Sequence, residues 1–283
     1  MKLDVNDYVN KEKEILKNKF EALERESKLW VLTDSSSEAS ESYMRSKVKI
    51  GKELGVKVKL KVVNNAKDVI FFCDLARARN IPVILQLPCC KECVSTFNSI
   101  KNTDVDGFFS YEGVYKGDFE GIVPATPKGI LKYIKYYHRD REGYIGDKRV
   151  LIIGRGNLVG KPLASLILPH IGTLTIATSK TKNLVEKIIQ NDIIIFCTGK
   201  EDLLTEEDAF ELGCINLKKK LVIDSGIFRE EGKLHGEFTK FYLMLDEGTR
   251  EKFDYTPVPK GVGILTTLNL FDNVYNFCLT QEI

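Results

Sequence analysis

The chain has no uninterrupted apolar stretch of the roughly 20 residues that a membrane-spanning helix requires. It has no excess of one charge: 42 lysines and arginines stand against 40 aspartates and glutamates, leaving a formal net charge of +2. No basic run is dense enough to track a phosphate backbone, so nucleic acid is not an expected partner. Histidine is scarce, at three residues: His138, His170 and His235. Cysteine is odd in number, at seven, which does not suggest a disulfide framework. Cys90 and Cys93 have the C-x-x-C spacing of a metal or redox pair, with Cys89 beside them. A zinc site needs two further ligands, and the histidines lie far off in sequence; ordinary reduced thiols and no metal are therefore expected. Residues 1–20 mix acids and bases, which fits neither a signal peptide nor a transit peptide, so the cytoplasm is the expected compartment.

What is present is the composition of a soluble globular protein, 43% hydrophobic and 29% charged, in a chain of 283 residues that can form two lobes with separate cores. Helix-like and strand-like segments alternate throughout, the α/β pattern. Residues 4–28 read as an amphipathic helix, 29–33 as an apolar strand and 37–54 as a helix stopped by Gly55. Residues 56–63 alternate valine and leucine with lysine, a half-exposed strand near an edge. A helix over 66–79 and a buried strand over 81–87 follow. A second series opens with a helix over 127–137, with Pro127 at its first position. Four short apolar strands, 149–153, 173–177, 192–197 and 220–224, alternate with helices, as in a doubly wound parallel sheet, and 261–279 is a final helix. The expected domains are residues 1–125 with 262–283, and residues 126–261.

Residues 149–162 read RVLIIGRGNLVGKP. A buried strand runs directly into Gly154, Gly156 and Gly160, and a helix follows. Glycine lets the backbone turn tightly and approach a pyrophosphate, while the helix N-terminus offers free N–H groups and a positive dipole end. The spacing is one residue longer than the usual fingerprint, and alone it also fits a turn that binds nothing. After the next strand come Thr178, Ser179, Lys180 and Thr181, with no acid to hold a free ribose hydroxyl. A serine hydroxyl and a cation, with Arg155 in the loop, suit a ribose phosphate and favour NADP over NAD; solvated Arg155 and Lys180 side chains are the alternative.

Tyr43 and Lys47 are four apart and share one helix face. A partly desolvated lysine beside an aromatic hydroxyl becomes usable as an acid or base, although the same pair also reads as a surface contact. Short-chain dehydrogenases share the Y-x-x-x-K spacing, but there it follows the glycine turn, and here it precedes that turn by about a hundred residues.

These motifs belong to a longer ordered series. It runs Ser40-x-x-Tyr43-x-x-x-Lys47, Gln86-Leu87-Pro88, Asp104-Val105-Asp106-Gly107-Phe108 and Thr126-Pro127-Lys128-Gly129. The glycine turn, Ser179-Lys180-Thr181, Val222-Ile223-Asp224, and Thr256-Pro257-Val258-Pro259 with Gly261-Val262-Gly263 and Thr266 continue it. In this order, over nearly the whole chain, the series resembles the bifunctional methylenetetrahydrofolate dehydrogenase/methenyltetrahydrofolate cyclohydrolase family. The resemblance implies an N-terminal α/β substrate lobe and a Rossmann-like doubly wound parallel sheet, with the active site in the cleft between them. It implies oxidation of methylenetetrahydrofolate with NADP, NAD being the alternative acceptor, and then hydrolysis to formyltetrahydrofolate. Lys47 would be the acid/base, Tyr43 would stack on or hydrogen-bond the folate, Gln86 would orient Lys47, and Asp106 would accept hydrogen bonds from the pterin. Leu87, Pro88, Pro259, Gly261, Val262 and Gly263 would border the substrate. Gly154, Arg155, Gly156, Asn157, Val159, Gly160, Ser179, Lys180, Thr198, Gly199 and Ile227 would hold the cofactor, with Arg155 and Ser179 on the ribose phosphate. A homodimer through the cofactor lobes is also implied.

The chain departs from the family pattern at several points. Lys260 stands where glycine is usual, and a backbone at positive φ there would be strained. Ile264 replaces proline, Gly156 replaces serine, and Ser225 and Phe228 sit in the usual D-V-G-I-N stretch. Gly236-Glu237-Phe238 replaces a G-D-V-like segment, residues 34–39 lack the family's glycine and proline, and Lys91 with the cysteine cluster replaces apolar residues. Alternatives are a monofunctional or NAD-preferring member, another two-domain dehydrogenase, or a non-catalytic folate or dinucleotide sensor. Retention of Lys47 argues against the sensor, because binding alone needs no acid/base.

Overall fold

The structure, a computed structural model, describes residues 1–34, 38–100, 104–107, 114, 122–230 and 233–280; the side chains of residues 38–43 and 141 are outside the description. Its contacts divide the chain into two compact units, Met1–Val9 with Thr126–Thr266, and Asn10–Ala125 with Thr267–Ile283.

The second of these units is built on a three-stranded parallel sheet in the order β2-β1-β3, with β1 at Lys28–Thr33, β2 at Lys57–Val62 and β3 at Val83–Leu85. The apolar run of β1 takes the centre and is buried along nearly its whole length. Lys57, Lys59 and Lys61 keep β2 at an edge, as their alternation predicts. The helix Ala66–Ala78 starts at Asn65, whose side chain accepts from the Asp68 N–H, and it packs Val69, Cys73 and Ala76 on Trp30, Leu32 and Leu85. A further helix, Lys91–Ser99, was not legible as such: its sequence is polar, and Cys93 and Phe97, one turn apart, supply the buried contact with the core.

The other unit carries a five-stranded parallel sheet in the order β10-β7-β6-β4-β5. Its strands are β4 at Arg149–Ile153, β5 at Thr173–Ala177, β6 at Ile193–Phe196, β7 at Lys220–Asp224 and β10 at Phe253–Tyr255. The four strands expected from the sequence are all present. The chain leaves β4 to one side for β5 and returns to its other side for β6, so the order reverses at β4; in open parallel sheets ligands bind at such a point. β10 escaped the sequence reading because Asp254 interrupts its apolar pattern, and the fold satisfies that acid with the Tyr137 hydroxyl at 2.7 Å and Lys219 at 3.0 Å. An antiparallel pair, β8 at Ile227–Glu230 and β9 at Lys233–Gly236, was also unforeseen. The helix Ala125–Tyr137 begins two residues before Pro127, which still lies in the first turn, where a missing N–H costs nothing. Among the described residues no helix is long and apolar enough to cross a membrane.

In the unit with the three-stranded sheet, the segment after β3 is fixed from the C-terminal helix Val262–Leu279. The fully buried Asn273 amide donates to the Val105 carbonyl at 2.9 Å and to the Val123 carbonyl at 2.7 Å. Asn273→Leu leaves two buried carbonyls without donors, and chemical denaturation is expected to show a loss of about 2–3 kcal/mol.

Candidate active site

Lys47 lies on the helix Glu38–Glu53 and faces inward, with 7% of its surface exposed. Its ammonium donates to Gln86 Oε1 at 2.7 Å. Gln86 directly follows β3, and its backbone N–H donates to the Leu32 carbonyl of β1 at 2.8 Å, extending the strand pairing. Its side-chain amide donates to the Leu87 carbonyl at 2.7 Å, which turns the oxygen toward Lys47. Asp106 sits on a segment held at both ends. Its N–H donates to the Asp104 carboxylate at 3.0 Å, and its carbonyl accepts from Ala125 at 3.1 Å. Next to it, Gly107 has φ +76, and a β-carbon there would lie 2.7 Å from the Pro124 nitrogen.

Burial pushes Lys47 below the ordinary lysine range and pushes the Asp106 carboxyl above the ordinary carboxylate range. Their mutual attraction opposes both shifts without cancelling them. Asp106 Oδ1 is buried and has no hydrogen-bond partner among the described residues. The arrangement is thus a lysine that gives up a proton readily, an amide that orients it, and a carboxyl with one oxygen left for a ligand. Tyr43 lies one turn earlier on the same helix, but its side chain is outside the described residues, as is Phe108. Leu87 is half-buried and Pro88 exposed.

In the unit with the five-stranded sheet, β4 runs into Gly154, at φ +116. A β-carbon on Gly154 would lie 2.8 Å from the Cys197 carbonyl oxygen, and one on Gly160 would lie 2.3 Å from the Gly154 oxygen. Both positions therefore require glycine, and their bare backbone forms a cradle. Gly160 opens the helix Gly160–Ile167, whose cap residue, Val159, provides no side-chain acceptor for the first N–H groups. Arg155, Gly156 and Asn157 are exposed on this turn, and Lys161 donates to Asn157 Oδ1 at 2.8 Å. Ile153 at the end of β4 pairs with Ala177 of β5 and Phe196 of β6. Arg155, Ser179 and Thr198 each stand two residues beyond these paired ends, so the three strands deliver them to one edge. Ser179 and Lys180 are exposed. A pyrophosphate and a phosphorylated ribose fit this donor set: the glycine backbone with free N–H groups for the first, and a hydroxyl with cations for the second.

Two acids complete this edge, and neither received a role from the sequence. Glu237, 6% exposed, accepts from the Thr198 hydroxyl at 2.6 Å and the Lys200 N–H at 2.9 Å, bracing the turn through Gly199 at φ +72. Gly226, just before Ile227, makes room for it: a β-carbon there would lie 2.2 Å from the Glu237 carboxyl carbon. Asp224 Oδ2 accepts from both the N–H and the hydroxyl of Thr239, each at 2.7 Å, and the Thr239 hydroxyl accepts from Val258 N–H at 3.3 Å. Burial pushes the Asp224 carboxyl up to about 7, against the downward pull of the Thr239 hydrogen bonds. The acid that replaces the usual aspartate after Gly236 was the available signal for Glu237.

The segment after β10 carries the remaining expected positions. Pro259 is exposed, Val262 is buried, and a β-carbon on Gly261 would lie 2.3 Å from the Pro257 oxygen. Lys260 has φ +77, so the strain expected from its place in the motif is present.

The model of the tetrahydrofolate dehydrogenase/cyclohydrolase NAD(P)-binding domain matches residues 124–282. The bifunctional protein FolD of Acholeplasma laidlawii is 34% identical over 279 residues, covering 95% of this chain and 95% of that protein. The chain belongs to the tetrahydrofolate dehydrogenase/cyclohydrolase family. FolD of Fusobacterium nucleatum is 37% identical over 246 residues, covering 83% of this chain and 81% of that one. The crystal structure of FolD methylenetetrahydrofolate dehydrogenase/cyclohydrolase from Campylobacter jejuni superposes with a TM-score of 0.83 at 28% identity, with 99% of each chain covered.

For a member of this family, the glycine turn separates strict positions from permissive ones. A β-carbon on Gly156, where serine is usual, meets nothing within 4 Å. Gly156→Ala should leave dinucleotide affinity close to the parent's, whereas Gly160→Ala should weaken it at least about tenfold, a loss of roughly 1.4 kcal/mol. Fluorescence titration with the reduced dinucleotide measures both.

Proposed function

We propose that this enzyme oxidises methylenetetrahydrofolate to methenyltetrahydrofolate with NADP as the acceptor and hydrolyses the product to formyltetrahydrofolate. The observation that carries the reading is the buried Lys47 ammonium on Gln86, next to the Asp106 carboxyl. A binding protein has no use for a lysine whose proton is loosened by burial; a hydrolase that must move protons around a ring-opening step has.

Lys47 in its neutral form takes a proton from the water that adds to the methenyl carbon. The resulting ammonium then returns a proton to the ring nitrogen that leaves as the ring opens. Gln86 would hold the lysine amine in place for both transfers and tune its protonation. The Oδ1 atom of Asp106 would orient the pterin by hydrogen bonding, and Tyr43 would stack on or hydrogen-bond the folate near the reacting carbon. Leu87 and Pro88 would border the substrate in the same unit. When bound, the dinucleotide supplies the two-electron acceptor, so oxidation depends on placement more than on proton transfer. Gly154, Gly156, Asn157, Val159 and Gly160 would hold its pyrophosphate. Arg155 and Ser179, with Lys180, would hold the ribose phosphate that distinguishes NADP. Thr198, Gly199 and Ile227 would line the rest, braced by Glu237.

The same reading places the enzyme in the cytoplasm, where its seven free cysteines stay reduced. It also makes the enzyme a homodimer through the cofactor unit; edge strand β5, with Ile176 at 44% exposure, supplies an unpaired border for this contact.

The test is incubation of the protein with methylenetetrahydrofolate and either NADP or NAD, following reduced dinucleotide and methenyl absorbance together. Turnover with NADP is expected. Turnover with NAD alone would remove Arg155 and Ser179 from their roles, and none with either would remove the reading. Lys47→Met is expected to slow hydrolysis by about 10²- to 10⁴-fold while depressing oxidation much less. Undiminished hydrolysis in that variant would exclude Lys47 as the proton carrier.

A further inference from the structure

The C-x-x-C spacing of Cys90 and Cys93 supplies only two metal ligands, and the histidines cannot reach them by sequence. The fold gathers a third sulfur beside them. The sulfurs of Cys89, Cys90 and Cys93 all lie within 4.8 Å of one another. Two thiolates on one tetrahedral zinc ion, each bonded at about 2.3 Å, stand about 3.8 Å apart, so the three sulfurs need only small movements to share an ion. Asp34 Oδ2, at the end of β1, accepts from the Cys90 backbone N–H at 3.0 Å and helps hold the cysteine segment in place. The cysteine positions are fixed by the start of the helix Lys91–Ser99, where Cys90 caps the helix and its sulfur accepts from the Cys93 N–H at 3.3 Å. Cys93 is fully buried, and Cys89 and Cys90 pack half-buried against the core of this unit, so one side of the cluster is dry.

We propose that Cys89, Cys90 and Cys93 form a three-thiolate site for one thiophilic divalent cation of the zinc class, with the fourth position left to water. On binding, the three thiols lose their protons to solvent and form three metal–sulfur bonds; no electron is transferred. The site begins two residues after Leu87, whose carbonyl orients Gln86. An ion there ties the stretch that leaves the lysine pocket to the helix Lys91–Ser99.

The experiment uses the reduced, metal-free full chain titrated with Co²⁺, which reports on zinc-type sites by absorption. One equivalent should bind, with a thiolate-to-cobalt charge-transfer band in the near ultraviolet and the intense visible bands of a tetrahedral site. Zn²⁺ should abolish both by displacement. The band should be lost in Cys90→Ser and in Cys89→Ser, whose side chain is only half-buried and whose fold circular dichroism can check. It should survive intact in Cys214→Ser, an exposed cysteine elsewhere. Absence of the band in the parent chain overturns the site, as does its persistence in the Cys89→Ser/Cys90→Ser double variant.

Discussion

A lysine ammonium taken out of water loses several kcal/mol of hydration, and a protein that buries one must return most of it or let the proton go. Among the described residues the Lys47 ammonium donates one hydrogen bond, to Gln86 Oε1, and feels the field of a nearby carboxyl that is itself buried. That compensation is incomplete, and the incompleteness is useful. Burial drives lysine and aspartate alike toward their neutral forms, while their attraction drives both toward charge. A proton held between opposing terms of this kind can be moved at modest cost. Much of the surrounding unit keeps these groups in register: β1 and β3 fix Gln86, while Asn273, Asp104 and Gly107 fix the segment of Asp106.

The unit with the five-stranded sheet meets a different demand. It must hold a large polyanion with little change to itself, and it does so mostly with backbone. Gly154 and Gly160 are excluded from carrying a side chain by contacts of 2.8 and 2.3 Å, so the turn presents N–H groups and nothing bulky. Rigidity at the edge comes from buried acids. Glu237 clamps the Thr198–Lys200 turn, and Asp224 ties Thr239 to the segment that starts with Val258. A carboxylate accepting several N–H and O–H donors is a stiff joint, and a stiff cofactor edge suits an oxidation that depends on placement.

Strong local patterns were readable in the sequence. The apolar runs of β4 to β7, the lysine alternation of β2 and the glycine turn each carry their own signal. Weaker elements were hidden for identifiable reasons. Asp254 breaks the apolar run of β10, and the helix Lys91–Ser99 is polar apart from the residues that anchor it. Convergence over long separations is invisible to spacing. Nothing local to Lys47 says that Gln86 will face it, and only the ordered resemblance brought Lys47, Gln86 and Asp106 into one list. Glu237 and Asp34 were missed for the same reason, since each acts on backbone supplied by a different element. The strain at Lys260 was readable, because a motif that normally carries glycine fixes the backbone before the side chain is chosen.

The depressed proton affinity of Lys47 can be measured without substrate or cofactor. NMR of protein carrying ¹³C-labelled lysine follows each Cε resonance through a pH titration, and the Lys47→Met chain assigns the one that matters. The account requires that resonance to titrate clearly below the ordinary lysine value of about 10.4. A midpoint at or above that value would mean the ammonium is fully compensated where it lies, and the proton-handling role assigned to it would fail.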